Sequence, residues 1–261
     1  MKAALIQLDI SWQNRRANYV KAESLSERAA EDLCDLIIFP EMFNTGFSMD
    51  LAAVADEGIG ETTSILSGMA QRNKINLIAG FPIKSPAEEK GRNLAIVYDR
   101  SGMPVATYTK MHPFSFAEED KYYIAGGNIT TFDIDGIPAS VFICYDLRFP
   151  EVFRKVAGQV KIITIIANWP ASRTEHWDTL LKARAIENQC FVIGVNRTGA
   201  DGKGMHYPGA SQIVDPLGKV LCRGNDSNEY IVCEFDTSLV DRIRTEFPFL
   251  KDMRYLDDQK K

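Results

Sequence analysis

Short apolar runs alternate with amphipathic stretches along the chain, and this alternation predicts its secondary structure. Apolar runs that end at glycine, proline or polar residues are typical of strands, whereas apolar positions recurring every three or four residues are typical of helices. The pattern predicts strands over residues 2–8, 36–40, 76–81, 161–167 and 191–195. It predicts helices over residues 14–33, 61–74, 148–157, 174–188 and 237–247.

Other apolar runs come in pairs around short turns and predict β-hairpins. The paired strands are expected over residues 93–99 with 105–110, 130–134 with 138–143, and 211–214 with 219–222, and a further strand over residues 229–235. Strands linked by helices usually pair in parallel, and hairpins pair antiparallel. The whole pattern therefore favours an α/β fold that contains both kinds of pair.

No low-complexity linker or internal repeat interrupts this pattern, so we expect a single domain over residues 1–261. The irregular segments 85–92 and 113–127 are the longest, and loops of this kind often carry function. Two helices offer apolar positions for packing. The positions expected to face the core are Ala17, Val20, Leu25, Ala29 and Leu33 in the first helix, and Trp177, Leu180, Leu181 and Ile186 in the helix over residues 174–188.

Composition and charge exclude several classes of protein. Hydrophobic residues make up 45% and charged residues 25%, which is ordinary for a globular protein. The net charge of −5 argues against a nucleic-acid partner, which favours a basic surface. The apolar run at the N-terminus is too short for a signal peptide, and no run reaches the roughly 20 apolar residues that a membrane span needs.

Cysteine and histidine usage gives no sign of a disulfide framework or a metal centre. The five cysteines are scattered without a CxxC pair, which fits a protein of the reducing cytoplasm. The three histidines form no HExxH motif, and there is no Walker A loop, GxSxG elbow or GxGxxG fingerprint. We therefore expect neither a metal nor an organic cofactor.

A cysteine follows the predicted strand 138–143, where the apolar run gives way to polar residues. The strand end would hold Cys144 facing the cleft outside the sheet, where open α/β proteins bind ligands. The helix predicted over residues 148–157 would begin just beyond it, and a helix N-terminus favours a thiolate. A lone cysteine after an apolar run is more often an inert core residue, so this feature alone identifies no site.

Three ionisable residues accompany the cysteine at or near the ends of predicted strands. Glu41 follows the second strand, Lys110 closes the first hairpin, and Glu119 lies in the second irregular segment. Taken singly, such charges are usually solvated. Together with Cys144 they would supply a nucleophile, a base and a cation, which are the groups that covalent amide hydrolysis requires.

The chain resembles the nitrilase superfamily of carbon–nitrogen hydrolases, whose members use a Glu–Lys–Cys triad. The three family motifs are matched, in family order, by FPEMF at 39–43, TKMH at 109–112 and CYDLRFPE at 144–151. The likeness extends over essentially the whole chain. It implies a four-layer α-β-β-α sandwich, which is usually assembled as a homodimer or a larger homo-oligomer.

Within the superfamily, the chain is most similar to the omega-amidase branch, including its bacterial YafV-like members. This similarity rests on segments 41–47, 167–173 and 196–204. It implies hydrolysis of the side-chain amide of 2-oxoglutaramate or 2-oxosuccinamate to the dicarboxylate and ammonia. The CYDLRFPE motif also resembles that of deaminated-glutathione amidases, so that activity or an N-carbamoyl hydrolase is the alternative. Outside enzymes, the alternative is a catalytically silent binding or assembly protein.

The resemblance implies a role for each group of the triad. Cys144 is the nucleophile and Glu41 is the general base that takes its proton. Lys110 stabilises the oxyanion, helped by the backbone N–H of Tyr145. Because a thiol has an ordinary pKa near ~8.5, Cys144 needs such a base or a positive neighbour to react at neutral pH.

Further residues are expected to bind the substrate. Glu119 matches the second glutamate of the family, which orients the substrate and holds Lys110, and Glu118 is the competing assignment. An omega-amidase must also hold a carboxylate, for which Arg173 is the first candidate because arginine binds carboxylates in a bidentate manner. Arg148 and Arg197 are expected to be structural. The expected walls of the pocket are Tyr145, Trp169, Phe43 and Phe116.

Overall fold

A computed structural model describes residues 1–58 and 60–254 of the chain. The helices are α1 Arg15–Glu31, α2 Leu51–Val54, α3 Glu61–Asn73, α4 Glu119–Tyr122, α5 Pro150–Arg154, α6 Thr174–Asn188 and α7 Ser238–Glu246. Short 3₁₀ helices cover Ser115–Ala117, Cys144–Arg148, Ala171–Arg173 and Phe249–Asp252. No helix within the described ranges combines the length and the apolar character needed to cross a bilayer.

The strands over the same residues form two large sheets and a small two-stranded one. The strands of the N-terminal half are β1 Lys2–Ile6, β2 Leu36–Ile38, β3 Asp56–Glu57, β4 Asn76–Lys84, β5 Arg92–Tyr98, β6 Pro104–Thr109 and β7 Thr131–Ile134. Those of the C-terminal half are β8 Ile137–Ile143, β9 Ile162–Ala167, β10 Phe191–Asn196, β11 Thr198–Ala200, β12 His206–Pro208, β13 Gln212–Val214, β14 Val220–Arg223 and β15 Tyr230–Glu234.

The first sheet has the strand order β15-β1-β2-β4-β5-β6, with β3 paired to β4. Strands β1, β2 and β4 run parallel, as expected for strands that helices connect. Strand β5 is antiparallel to β4, and β6 is antiparallel to β5. Because the direction reverses twice, β2 and β6 point the same way. Glu41 and Lys110, which follow these two strands, therefore lie at the same edge of the sheet.

The second sheet has the order β14-β13-β10-β9-β8-β7. Its central strands β8, β9 and β10 are parallel, and the hairpin partners at both sides are antiparallel. Cys144 directly follows β8 and Asn168 directly follows β9. Since carboxyl ends of parallel strands share one edge, the thiol and this asparagine are brought close together.

Alternating side chains show how the layers stack. In β1, Ala3 and Leu5 pack with residues of the second sheet, whereas Ala4 and Ile6 pack with residues of α1 and α3. This is the two-residue period of a strand buried on both faces. The other face of the second sheet is covered by α5 and α6, with Trp177 buried among its side chains. The layers are therefore helices, sheet, sheet and helices, as the resemblance implies.

The predicted helix faces were partly wrong. Val20 is 62% exposed, Leu33 is 81% exposed, and Ile186 of α6 is also exposed. The buried face of α1 includes polar residues that the apolar pattern passed over: Asn18 donates to the backbone carbonyls of Ser11 and Asn44. Tertiary hydrogen bonds, which apolar periodicity does not register, therefore set the rotation of this helix.

Two segments also differ from expectation. The helix expected over residues 148–157 is only the five-residue α5, preceded by the 3₁₀ helix Cys144–Arg148. The β11–β12 hairpin was not predicted, because its strands have three residues each. Gly199 in this hairpin has a φ of 78°, and a Cβ there would lie 1.9 Å from Oδ1 of Asp9. Glycine is therefore required at this position for the hairpin to approach the N-terminal segment.

Candidate active site

A cavity of about 210 Å³ opens where the carboxyl ends of β2, β6, β8 and β9 meet. Pockets for drug-sized ligands are typically ~300–1,000 Å³, so this one suits a small substrate. Seven of the predicted site residues line it: Glu41, Lys110, Cys144, Tyr145, Phe116, Trp169 and Arg173. The structure thus brings together residues that are up to 132 positions apart, from 41 to 173.

Lys110 lies between two buried carboxylates at the base of the cavity. Its Nζ donates to Oε1 of Glu41 at 2.9 Å and to Oε2 of Glu119 at 2.8 Å. All three side chains are at most 1% exposed. Burial opposes the charge of Lys110, but the charges of Glu119 and Glu41 outweigh it and raise the pKa of the amine well above its usual value. Lys110 is therefore a fixed cation at neutral pH.

Glu119, and not Glu118, is the glutamate that contacts Lys110. Glu119 is fully buried and also accepts a hydrogen bond from the backbone N–H of Phe114. Burial raises the pKa of its carboxyl group, as does the charge of Glu41, whereas Lys110 lowers it. Glu118 is exposed and pairs with Lys121 on the surface.

Glu41 is held by a tight turn between the two sheets. The next residue, Met42, has a φ of 45°, and Phe43 N–H donates to the carbonyl of Gly80 at 2.9 Å. A Cβ at Gly80 would lie 2.9 Å from Cα of Glu41 and 2.6 Å from Ile166, so only glycine leaves room for this turn. The backbone N–H of Asn168 donates to Oε2 of Glu41 at 2.9 Å, which fixes the carboxylate from the second sheet.

Cys144 occupies a strained backbone position at the end of β8. Its φ is 46°, a left-handed conformation that is uncommon for a residue with a side chain and often marks functional positions. The residue is partly exposed and lines the cavity, and its Sγ donates to the backbone carbonyl of Asn168 at 3.8 Å. The expected helix N-terminus does not stabilise a thiolate here. Instead, burial and the charge of Glu41 raise the pKa of the Cys144 thiol well above its usual value, although Lys110 lowers it.

The buried carboxylate of Asp146 connects the segment around Lys110 to the turn at Cys144. Asp146 accepts hydrogen bonds from the hydroxyl of Tyr108 at 2.8 Å and from the backbone N–H of His112 at 2.9 Å, on either side of Lys110. It also accepts from the backbone N–H of Ile143 at 3.0 Å, next to Cys144. Asp146 therefore fixes the position of Lys110 relative to Cys144.

Aromatic rings and two arginines form the outer part of the cavity. The guanidinium of Arg173 lies 5.5 Å from the ring centroid of Phe114, and that of Arg148 lies 4.9 Å from that of Trp169. Across the described ranges 1–58 and 60–254, neither guanidinium forms a salt bridge with a protein carboxylate. Both remain available to bind an anionic substrate group.

Two sequence-based assignments need correction. Phe43 does not line the cavity: it is fully buried in the core beside Phe39, because the turn at Met42 points it inward. Phe47 lines the cavity instead, with its ring centroid 5.3 Å from Nζ of Lys110. Arg148, which was expected to be structural, also lines the cavity.

Arg197 has the structural position that was expected of it. It is fully buried, and its guanidinium donates to the backbone carbonyls of Thr198, Ala200 and Ile10. These bonds fasten the β11–β12 hairpin to the N-terminal segment. The hairpin in turn contributes Asp201 and Lys203 to the wall of the cavity.

Sequence reasoning missed two asparagines that contact Glu41: Asn168, which lines the cavity, and the buried Asn93, which does not. Asn168 directly follows the apolar strand β9, which is the same signal that identified Cys144 after β8, so it could have been found. Asn93 lies at the start of β5 and donates to both Glu41 and Glu119. No local feature of the sequence marks it.

Comparison with known proteins identifies the family. The chain matches the carbon–nitrogen hydrolase family over residues 2–245, and it belongs to that family. Its members act on carbon–nitrogen bonds, and this chain is accordingly a hydrolase. The buried cluster of glutamate, lysine and cysteine is the set of groups that such a reaction requires.

Individual relatives indicate the branch of the family to which the chain is similar. The chain is 35% identical to the 2-oxoglutaramate amidase of Bacillus subtilis, covering 95% of this chain and 96% of that protein. It is 33% identical to the omega-amidase YafV of Yersinia enterocolitica, covering 97% and 96%. The structure of XC1258 from Xanthomonas campestris, a CN-hydrolase superfamily protein with an arsenic adduct in its active site, superposes with a TM-score of 0.92 at 29% identity, covering 98% of each chain. The predicted family, its omega-amidase branch and the four-layer fold are confirmed.

Proposed function

We propose that the protein is an omega-amidase that hydrolyses the side-chain amide of 2-oxoglutaramate or 2-oxosuccinamate to the dicarboxylate and ammonia. The observation that carries the proposal is the buried Glu41–Lys110–Glu119 cluster beside the thiol of Cys144. It lies at the base of a small cavity whose outer part contains the guanidinium groups of Arg148 and Arg173, neither of which has a carboxylate partner among the described residues; Arg148 contacts Nδ1 of His176 at 3.1 Å. The names of the relatives support the same substrate class.

The first half-reaction forms a thioester. The Cys144 thiol is protonated at rest because its pKa is raised, so the sulfur can attack only as Glu41 removes its proton. The sulfur–carbon bond forms at the amide carbonyl carbon, and negative charge develops on its oxygen. Lys110 and the backbone N–H of Tyr145 stabilise this charge. When the tetrahedral intermediate collapses, the carbon–nitrogen bond breaks and ammonia leaves with the proton from Glu41.

The second half-reaction returns the enzyme to its starting state. Water attacks the thioester carbonyl while Glu41, now ionised again, takes one of its protons. The carbon–sulfur bond breaks, the proton on Glu41 passes to the sulfur of Cys144, and the carboxylic acid product loses its remaining proton to solvent to become the carboxylate. Glu119 keeps Lys110 oriented through both steps and contributes to placing the substrate amide. No cofactor takes part in this scheme.

The distal carboxylate of the substrate binds at the outer part of the cavity. Arg173 is the proposed anchor, and Arg148 is the second guanidinium that lines the same cavity. Tyr145 and Trp169 provide apolar walls between this anchor and the thiol. A neutral amide would leave the guanidinium groups without a partner, which disfavours it relative to an anionic substrate.

We further propose that the protein acts in the cytoplasm as a homodimer or larger homo-oligomer. All five cysteines are free, which is compatible with a reducing compartment. The proposal of an oligomer rests on the resemblance to the superfamily.

Ammonia release across a panel of amides tests the proposed substrate class. We expect kcat/KM for 2-oxoglutaramate and 2-oxosuccinamate to exceed that for propionamide by at least about 100-fold, because only the former pair with the guanidinium groups. Deaminated glutathione and an N-carbamoyl amino acid complete the panel. A higher kcat/KM for either of these would replace the omega-amidase assignment, and no ammonia from any amide would favour the silent binding protein.

Arg173→Lys tests the proposed anchor. We expect kcat/KM for 2-oxoglutaramate to fall about 10–100-fold, because a lysine cannot form the bidentate pair with the carboxylate. The kcat/KM for propionamide should stay unchanged. Arg223→Lys is the matched control, since Arg223 pairs with Asp178 outside the cavity. If Arg173→Lys left the ratio of the two kcat/KM values at its wild-type level, Arg173 would not be the anchor.

A further inference from the structure

Asn93 is a buried residue in contact with both glutamates of the cavity, and the mechanism above gives it no role. Its Nδ2 donates to Oε1 of Glu41 at 2.7 Å and to Oε1 of Glu119 at 2.9 Å. Its backbone carbonyl accepts from the N–H of Lys110 at 2.9 Å. The orientation of the amide is unambiguous, because the opposite orientation would point its oxygen at two carboxylate oxygens. Both amide hydrogens are therefore committed to the two glutamates.

The hydrogen bonds of Asn93 compensate for an imbalance of charge among Glu41, Lys110 and Glu119. Two carboxylates share the single cation of Lys110, so the group has a net charge of −1 in a buried place. Both carboxylates contact the same amine, so they lie close to each other. Like charges at close range disfavour simultaneous ionisation, and one carboxylate would tend to keep a proton. A proton on Glu41 would disable the base. The two N–H groups of Asn93 favour the ionised form of both carboxylates.

The hydrogen bonds also distinguish the two oxygens of Glu41. Oε1 accepts from Lys110 and from Asn93, at 2.9 and 2.7 Å, and both of its lone pairs are engaged. Oε2 has one short bond, from the backbone N–H of Asn168, and a weak one from the Asn168 amide at 3.4 Å. The carbonyl of Asn168 contacts the sulfur of Cys144. Oε2 is thus the oxygen with free capacity, and Asn168 is the residue that contacts both this oxygen and the thiol.

We propose that Asn93 is a positioning residue that keeps Glu41 and Glu119 ionised together and reserves Oε2 of Glu41 for the Cys144 proton. In this step the S–H bond breaks, an O–H bond forms at Oε2, and the electron pair left on sulfur forms the bond to the carbonyl carbon. Asn93 contacts neither substrate nor thiol, so it acts through Glu41. This inference rests on the proposed amidase chemistry.

Asn93→Asp tests the proposal because it replaces the two donors with a third acid of nearly the same shape. We expect kcat to fall about 100-fold, the low end of the effect of a general base, and KM to change less than about threefold. The acid limb of the kcat profile should move to higher pH. The limb should move in this direction because lost donors and an added negative charge disfavour ionised carboxylates beside residue 93, so more alkaline solution is needed to keep them ionised.

Two further variants separate this role from a structural one. Asn76→Asp is the matched control, because Asn76 is also buried and its amide donates to a carboxylate, that of Asp135 at 2.9 Å. In this control, kcat should stay within about twofold of wild type. The acid limb of the pH profile of kcat should stay within about 0.2 pH units of wild type. Asn93→Ser retains one donor and should lose about 10-fold in kcat; it replaces Asn93→Asp in the comparison if that variant does not fold.

A second readout needs no substrate. Iodoacetamide alkylates the Cys144 sulfur with loss of iodide, and mass spectrometry of the Cys144 peptide gives its rate at each pH. The pH of half-maximal rate should be higher in Asn93→Asp than in wild type. Equal pH midpoints in the two proteins, or a kcat within about threefold of wild type, would overturn the role of Asn93. Failure of wild type to release ammonia would refute the proposed function instead, because the alkylation profile does not depend on it.

Discussion

Cys144→Ala is expected to lower ammonia release from 2-oxoglutaramate by at least about 10⁴-fold and to leave the protein folded. Without the sulfur no thioester forms, and losing a nucleophile from a covalent mechanism costs several orders of magnitude in kcat. The fold should persist because, among the residues that the structure describes, the sulfur forms a single hydrogen bond, the 3.8 Å contact with the Asn168 carbonyl. The ion pairs among Glu41, Lys110 and Glu119 do not involve it. Ammonia release and thermal unfolding measure the two effects.

Cys222→Ala is the matched control for this variant. Cys222 is a free cysteine of similar partial exposure, but it lies on β14 and does not line the cavity. We expect its activity to equal that of wild type. An alanine variant at Cys144 that keeps near wild-type ammonia release would end the covalent proposal, because no other cysteine lines the cavity among the described residues.

Lys110→Met is expected to reduce kcat by at least about 10³-fold and also to destabilise the protein. The rate falls because the oxyanion loses its charged partner, and removal of one oxyanion donor typically costs about 10²–10³-fold even when that donor is neutral. The free energy of unfolding should drop by about 3–5 kcal/mol near neutral pH, because two buried carboxylates lose their counter-ion. Urea unfolding of the variant, followed by far-UV circular dichroism, measures this loss.

The loss of stability in Lys110→Met should depend on pH. Burial already raises the pKa of Glu119, and without Lys110, which lowers it, that pKa rises further above its value in the unfolded chain. Groups whose folded pKa is raised favour folding at low pH, and this contribution is lost as the pH rises through the folded value. The difference in unfolding free energy from wild type should therefore be larger at pH 8 than at pH 5.

Lys121→Met controls for the removal of a lysine. Lys121 pairs with Glu118, but both side chains are exposed, so water already solvates the charges. We expect no measurable change in unfolding free energy or activity. A Lys110→Met protein as stable as the Lys121→Met protein at pH 8 would mean that Glu41 and Glu119 are not held ionised by Lys110.

The sequence was most informative where a functional residue ends a strand. Glu41, Lys110 and Cys144 each follow an apolar run, and polar groups at the ends of neighbouring parallel strands meet because the sheet aligns those ends. The order of the strands in the two sheets could not be obtained from such local patterns. It brings β2 and β6 of one sheet to β8 and β9 of the other. The family resemblance predicted that the three residues form one triad, but not the strand order that brings them together.

Residues inside turns were harder to predict. Phe43 was expected in the cavity, but the left-handed backbone at Met42 turns it into the core and leaves Phe47 at the cavity. A positive φ at a residue other than glycine has no sequence signal, so the alternation of faces cannot be followed through such a turn. The same limit applies to Cys144, where a 3₁₀ helix that was not predicted precedes the short helix α5.

Buried polar contacts were also not predicted from the sequence. Asn93 and Asn18 are both fastened by hydrogen bonds to residues distant in sequence, and apolar periodicity treats them as surface positions. The raised pKa of the Cys144 thiol was also not predicted, because it comes from burial beside Glu41, whereas the expected helix N-terminus would have lowered it. Both effects arise only when separate segments are packed together.

The covalent use of Cys144 is tested most directly by trapping its acyl form. Protein mixed with 2-oxoglutaramate is quenched in acid at times shorter than one turnover, and the mass of the peptide containing Cys144 is measured. We predict a mass gain equal to the acyl group of the substrate less one hydrogen, on Cys144, which disappears once the substrate is consumed. Turnover with an unmodified Cys144 peptide at every quench time, or acylation of another residue, would contradict this account.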